Sequence, residues 1–131
     1  MKAILFLSTF LISLLVLGGE VNSWDCRNLE GAKIIAEDGA ELGVLGPRWK
    51  NHSIFNDSSE HSSTWSSKSI YNTSGEYGNS YSSQSVFNDS ASKPPKIISE
   101  AGEEIGRLSI GPNWDRTRFN PYDIKYTCDW D

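Results

Sequence analysis

KIIAEDGAELGVLGPRW, Lys33 to Trp49, returns as KIISEAGEEIGRLSIGPNW, Lys96 to Trp114. The copies share Lys-Ile-Ile, an acidic residue, a central glycine, Leu or Ile followed by Gly, and a closing Gly-Pro-x-Trp. Each reads as a β-hairpin: an Ile-Ile strand, a turn at Asp38-Gly39 or Ala101-Gly102, and a returning strand. Asp-Gly suits a tight turn whose two central residues both take positive φ. Pro47 and Pro112 would stop each second strand. The glycines, and the lack of a sustained helical period, oppose a helical reading. A lone hairpin is marginal in water, but four strands sharing an apolar face are not. The expected fold is therefore mostly β, with two similar hairpins, residues 33–46 and 96–111, packed together. Ile34, Ile35, Leu42, Val44, Leu45, Ile97, Ile98, Ile105, Leu108 and Ile110 would supply its core, with Trp49 and Trp114 at the edge.

Between the hairpins lies a Ser-rich tandem repeat, residues 53–92. SIFNDSSEHSSTWSSK (Ser53–Lys68) is followed without a gap by SIYNTSGEYGNSYSSQ (Ser69–Gln84) and SVFNDSAS (Ser85–Ser92). Composition alone, 15 Ser in 40 residues, would suggest a linker or stalk. The spacing argues for order, because apolar or aromatic residues recur at the second, third and thirteenth places of the 16-residue unit. Asn56, Asn72 and Asn88 read as turn residues whose side chains hydrogen-bond the backbone two residues on. The third copy puts Ile97 where Trp65 and Tyr81 fall, so the repeat is expected to run directly into the second hairpin.

Further out, Cys26 and Cys128 are the two cysteines, one near each end, with mirrored flanks Trp24-Asp25-Cys26 and Cys128-Asp129-Trp130. In an oxidising compartment they have one intramolecular pairing, which would close the domain. Residues 1–23 read as a secretory signal: Met1-Lys2, an apolar run from Ala3 to Leu17, then Val21-Asn22-Ser23 as a cleavage site after Ser23. This leaves residues 24–131 as one exported domain, secreted or periplasmic, with a tail at 115–131 and no membrane attachment once the signal is removed. The formal charge of −5 and the absence of a Lys/Arg cluster disfavour nucleic-acid partners.

SIFNDS, SIYNTSGEYGNSYSSQS and SVFNDSASKPPKII, with the following Gly-Arg-Leu, resemble small exported bacterial proteins built on S-I-aromatic-N-x-x-G-x-Y-G-S-x-Y-S-x-x-S units. In those proteins a Pro-Pro and a short β-hairpin follow the repeat. The resemblance covers Lys33 to Ile110 and implies a bacterial, exported protein; it transfers no catalytic residue. The Tyr-Gly element of the pattern occurs here once, at Tyr77-Gly78.

Chemistry-bearing patterns are sparse. There is no G-x-S-x-G elbow, neither His52 nor His61 has a local pattern marking it as a base, and the acids lack calcium-loop spacing. No catalytic residue, metal ligand or cofactor is assigned. Four N-x-Ser sequons, at Asn51, Asn56, Asn72 and Asn88, would matter only in a eukaryotic secretory pathway. The remaining positive reading is binding of a glycan, another polar polymer or a protein partner. Trp65, Tyr71, Tyr77, Tyr81 and Phe87 would stack, and Asn56, Asn72 and Asn88 would hydrogen-bond. The competing reading makes those rings the small core of the repeat. The alternatives to a binding, surface-associated or structural module are a small secreted hydrolase and an inhibitor of a partner enzyme.

Overall fold

The computed structural model describes residues 21–112 and 114–130. Most of the expected signal, 1–23, lies outside them. The chain forms α1 (Ser23–Leu29), β1 (Lys33–Ile35), β2 (Glu41–Val44), a 3-10 turn (Glu60–Ser62), β3 (Lys96–Ile98), β4 (Glu104–Leu108), β5 (Arg118–Phe119) and α2 (Pro121–Cys128). The strands make one five-stranded mixed sheet in the order β2-β1-β3-β4-β5. All neighbours are antiparallel except β4 and β5.

The central pairing sets Ile34 opposite Ile97, with Lys33 facing Ile98 and Ile35 facing Lys96. Corresponding residues of the two Lys-Ile-Ile copies thus exchange places across the pair, a local two-fold relation. The two β pairs meet edge to edge in one sheet instead of stacking face to face. Only part of the expected core is fully buried; in each Ile-Ile pair successive residues point to opposite faces, so one is buried and the other half-buried. Ile34, Leu42, Leu45, Ile97 and Leu108 are buried, while Ile35, Val44, Ile98, Ile105 and Ile110 are half-buried. The second-place residues of the repeat, Ile54, Ile70 and Val86, complete the buried cluster together with Leu29 and Ile124 of the two helices.

The turns differ from the expected form. Gly39 and Gly102 have φ of 93° and 90°, but neither Asp38 nor Ala101 is in the left-handed region. Gly39 N donates to Ala36 O and Ala36 N to Ala40 O; Gly102 N donates to Ser99 O and Ser99 N to Glu103 O. One extra residue thus follows each four-residue turn, with glycine taking the left-handed position, as in a bulged hairpin.

The C-terminal segment carries β5 and α2. Asn120 caps α2 by accepting from Tyr122 N at 2.8 Å, and Pro121 sits at the first turn, where its missing N–H costs nothing. At the other end Asn22 and Asp25 form a reciprocal capping box on α1, each side chain 3.0 Å from the other's backbone N. Cys26 of α1 and Cys128 of α2 are joined by a disulfide with Cα atoms 5.4 Å apart. The bond therefore fastens the two helices.

Candidate binding surface

The repeat is built from turns, and side chains do much of the hydrogen bonding that a ladder does in a sheet. Ser53, Ser69 and Ser85 are buried, and their hydroxyls accept from the N–H of Phe55, Tyr71 and Phe87 at 3.1, 3.0 and 3.0 Å. Ser53 and Ser69 also donate to Gly46 O and His61 O. The amides of Asn56, Asn72 and Asn88 donate to the carbonyls six residues back, Lys50, Ser66 and Ser82, at 3.0, 3.1 and 2.9 Å. Their oxygens accept from the N–H of Ser58, Ser74 and Ser90 at 2.9, 3.0 and 3.0 Å. Ser and Asn are the residue types that offer the backbone such local partners, so a Ser-rich composition here encodes structure. The three asparagines are half-buried and engaged within the chain.

The aromatic residues divide by their place in the unit. Third-place Phe55, Tyr71 and Phe87 are half-buried against the core, as is Tyr77. Tyr71 stacks near Phe87 with centroids 6.0 Å apart, and Phe87 near Tyr122 of α2 at 5.6 Å. Burial raises the Tyr71 phenol well above its usual range, with the Tyr122 phenol and the Asp57 carboxylate adding to the shift. Thirteenth-place Trp65 and Tyr81 are 90% and 91% exposed. Ile97, expected at the equivalent place of the third copy, is fully buried in β3. The buried Pro94-Pro95 pair comes just before β3, and the register of the repeat does not continue past it.

Tyr77 joins the repeat to the first hairpin turn. Its hydroxyl donates to Asp38 Oδ2 at 2.7 Å, and Asp38 N donates to Gln84 Oε1 at 3.2 Å. The Tyr77 bond, helped by Ala40 N–H, holds the Asp38 carboxyl below the ordinary carboxylate range. Partial burial, reinforced by that bond, pushes the Tyr77 phenol up to about 12. Gln84 and Ser82 both reach Glu76 Oε2, continuing the network along the second copy.

Sequence reasoning missed α2 as a contributor. Tyr122, Lys125, Tyr126 and Asp129, with Trp130, line one wall of a groove of about 540 Å³; Gly46, Pro47, Arg48 and Phe55 line the other. Their helical spacing was visible in the sequence, but Tyr-Asp-Ile-Lys-Tyr-Thr is too short and too polar to stand out by periodicity.

The histidines do not assemble a nucleophile. His61 is buried, its Nδ1 lies 3.0 Å from Lys68 O, and its ring meets His52 edge-on at 5.8 Å. Among the described residues no His ring bonds a Ser hydroxyl or a carboxylate, and no cluster of three or more His, Cys, Asp or Glu is placed to hold a metal ion. Also among them, no helix is long and apolar enough to cross a membrane. Neither a family model, nor a curated protein, nor a solved structure matches the chain.

Proposed function

We propose that this chain is an exported binding module, in which a duplicated hairpin clasps an ordered tandem repeat and presents aromatic rings to a glycan or similar polar polymer. One observation carries this reading: among the described residues the exposed large hydrophobic side chains are all Trp or Tyr, namely Trp24, Trp49, Trp65, Tyr81, Trp114, Tyr122 and Tyr126. The largest fully buried side chains, by contrast, are aliphatic or proline. The seven exposed rings are of the two types that offer both a flat apolar face and a polar tip. Trp65 and Tyr81, 90% and 91% exposed, stand at the same place in successive copies, so each full copy offers one ring to a chain-like ligand. The disulfide between α1 and α2 supports export, since such bonds persist in oxidising compartments.

The test is a screen of soluble glycans and cell-wall polymers with the exported chain, run beside Trp65→Ala and Tyr81→Ala. The expected result is retention on at least one polymer and about tenfold weaker binding in each variant, equivalent to about 1.4 kcal/mol. No retention on any polymer would remove the reading.

A further inference from the structure

Pro121 and Ile124 of α2 are buried and Cys128 is half-buried, which accounts for one face of the helix. A solvated helix normally turns charged and polar residues outward on the other face. Here Tyr122, Tyr126 and, just past the cap, Trp130 follow at four-residue intervals, and all three line the groove. Tyr126 is 91% exposed, so its ring is not spent on the core; Tyr122, 56% exposed, meets Phe87 on one side, and Trp130 is half-buried.

We infer that this groove is a subsite for an acidic saccharide, a sugar unit bearing a carboxylate, held by Tyr126 and Trp130 through its ring face and by Arg48 and Lys125 through its charge. The inference rests on the glycan-binding reading above and specifies its ligand class. A volume of about 540 Å³ is in the range of small-ligand sites, roughly 300–1,000 Å³, and gives room for a short saccharide. The lining holds no Leu, Ile, Val or Met. Pockets for acyl chains or peptide anchors rely on such residues, whereas flat rings with hydroxyl tips match the C–H faces and hydroxyls of a sugar.

Charge selects the acidic member of that class. The chain carries a formal charge of −5, yet among the described residues the groove has two cations, Arg48 and Lys125, against one acid, Asp129. Among the described residues neither cation is in an ion pair; the pairs belong to Arg107 and Arg118. The planar guanidinium of Arg48 has the fork geometry that suits a carboxylate.

The experiment titrates the exported chain with trigalacturonate and with a neutral trisaccharide of similar length, following Trp fluorescence and isothermal heat. Arg48→Gln, Lys125→Gln, Lys125→Arg and Tyr126→Ala are measured beside Trp65→Ala. The expected result is binding of the acidic ligand that weakens with added salt, falls about tenfold in Arg48→Gln, Lys125→Gln and Tyr126→Ala, and is restored in Lys125→Arg. Equal affinity for the neutral sugar, or indifference to the Arg48 and Lys125 substitutions, overturns the acidic specificity and leaves the binding module standing. Binding lost in Trp65→Ala but untouched in Tyr126→Ala moves the site to the repeat and overturns the groove. No binding of either sugar here, together with no retention in the polymer screen, overturns both readings.

Discussion

Asn72 shows how one residue type can replace a strand ladder. Its amide donates to Ser66 O and its oxygen accepts from Ser74 N, so one side chain satisfies two backbone groups of adjoining turns. Asn56 and Asn88 repeat the arrangement. Asn72→Ala should cost about 1–3 kcal/mol by denaturant unfolding, because a carbonyl and an N–H lose their partners. Asn72→Asp keeps the acceptor and should cost less; equal losses would mean that the bond accepted from Ser74 N contributes nothing. Half of this role was legible, since the bond to the residue two ahead follows from Asx-turn chemistry. The reach back over six residues was not, because it depends on how successive turns stack.

Tyr77 carries a pH-dependent prediction. Its folded pKa is raised, to about 12, so its contribution is complete below the unfolded value of about 10 and is lost as pH rises toward 12. Tyr71, also raised, acts with the same sign. Asp38, Glu37 and Asp115 are lowered, chiefly by Tyr77, Arg107 and Thr117 respectively. Their contribution is present above the unfolded carboxylate range of about 4 and falls away as pH drops through the folded values. Melting temperature should therefore decline below about pH 4 and above about pH 10. In Tyr77→Phe the alkaline decline should shrink, and the Asp38 carboxyl, followed by NMR, should titrate closer to its ordinary range. An unchanged Asp38 titration would contradict the Tyr77 bond as its main cause.

At the level of elements, the second repeat copy brings its backbone closest to itself at Gly78. A Cβ on Gly78 would collide with both Ile70 O and Asn72 O, a clash with backbone that no rotamer relieves. The first copy has Ser62 at the same place, and its hydroxyl instead donates to Ile54 O at 2.8 Å. The lone Tyr-Gly therefore marks a local difference in winding between copies. Gly78→Ala should destabilise by about 1–3 kcal/mol or more, read as a lower denaturation midpoint. Ser62→Ala should cost less, about 1 kcal/mol, because it removes a bond without creating overlap.

The helix α1 raises a related point about processing. Val21 is 7% exposed and Asn22 supplies half of the capping box. A chain starting at Trp24 would lack both. Asn22→Ala should cost about 1 kcal/mol in a chain retaining these residues. N-terminal sequencing of the protein purified from its own cells and medium, joined to that measurement, tests the cleavage expected after Ser23 against retention of the cap.

For the whole molecule, the parts that could be read in advance were those fixed by local chemistry. Lys-Ile-Ile and the turn glycines mark the strands and their reversals, and the alternation within each Ile-Ile pair follows from strand geometry. What could not be read is set by long-range packing: the edge-to-edge meeting of β1 and β3, the filling of the core by Ile54, Ile70 and Val86, and the folding of 115–131 back as β5 and α2. The groove was hidden for the same reason, since Arg48 and Tyr126 lie far apart in sequence and share it only because α2 docks beside the 46–48 loop. That docking depends on Cys26–Cys128, which spans 102 residues and ties α2 to α1. Closing a loop of about 100 residues stabilises by roughly 4.7 kcal/mol in the chain-entropy account. Yet α2 also buries Ile124 and stacks Tyr122 on Phe87, so the bond is not its sole attachment. Cys26→Ser with Cys128→Ser should therefore lower unfolding free energy by several kcal/mol, and hydrogen exchange should quicken first in 121–128 while β1 and β3 keep their protection. Uniform loss of protection across sheet and helix would instead make the disulfide a condition for the whole fold.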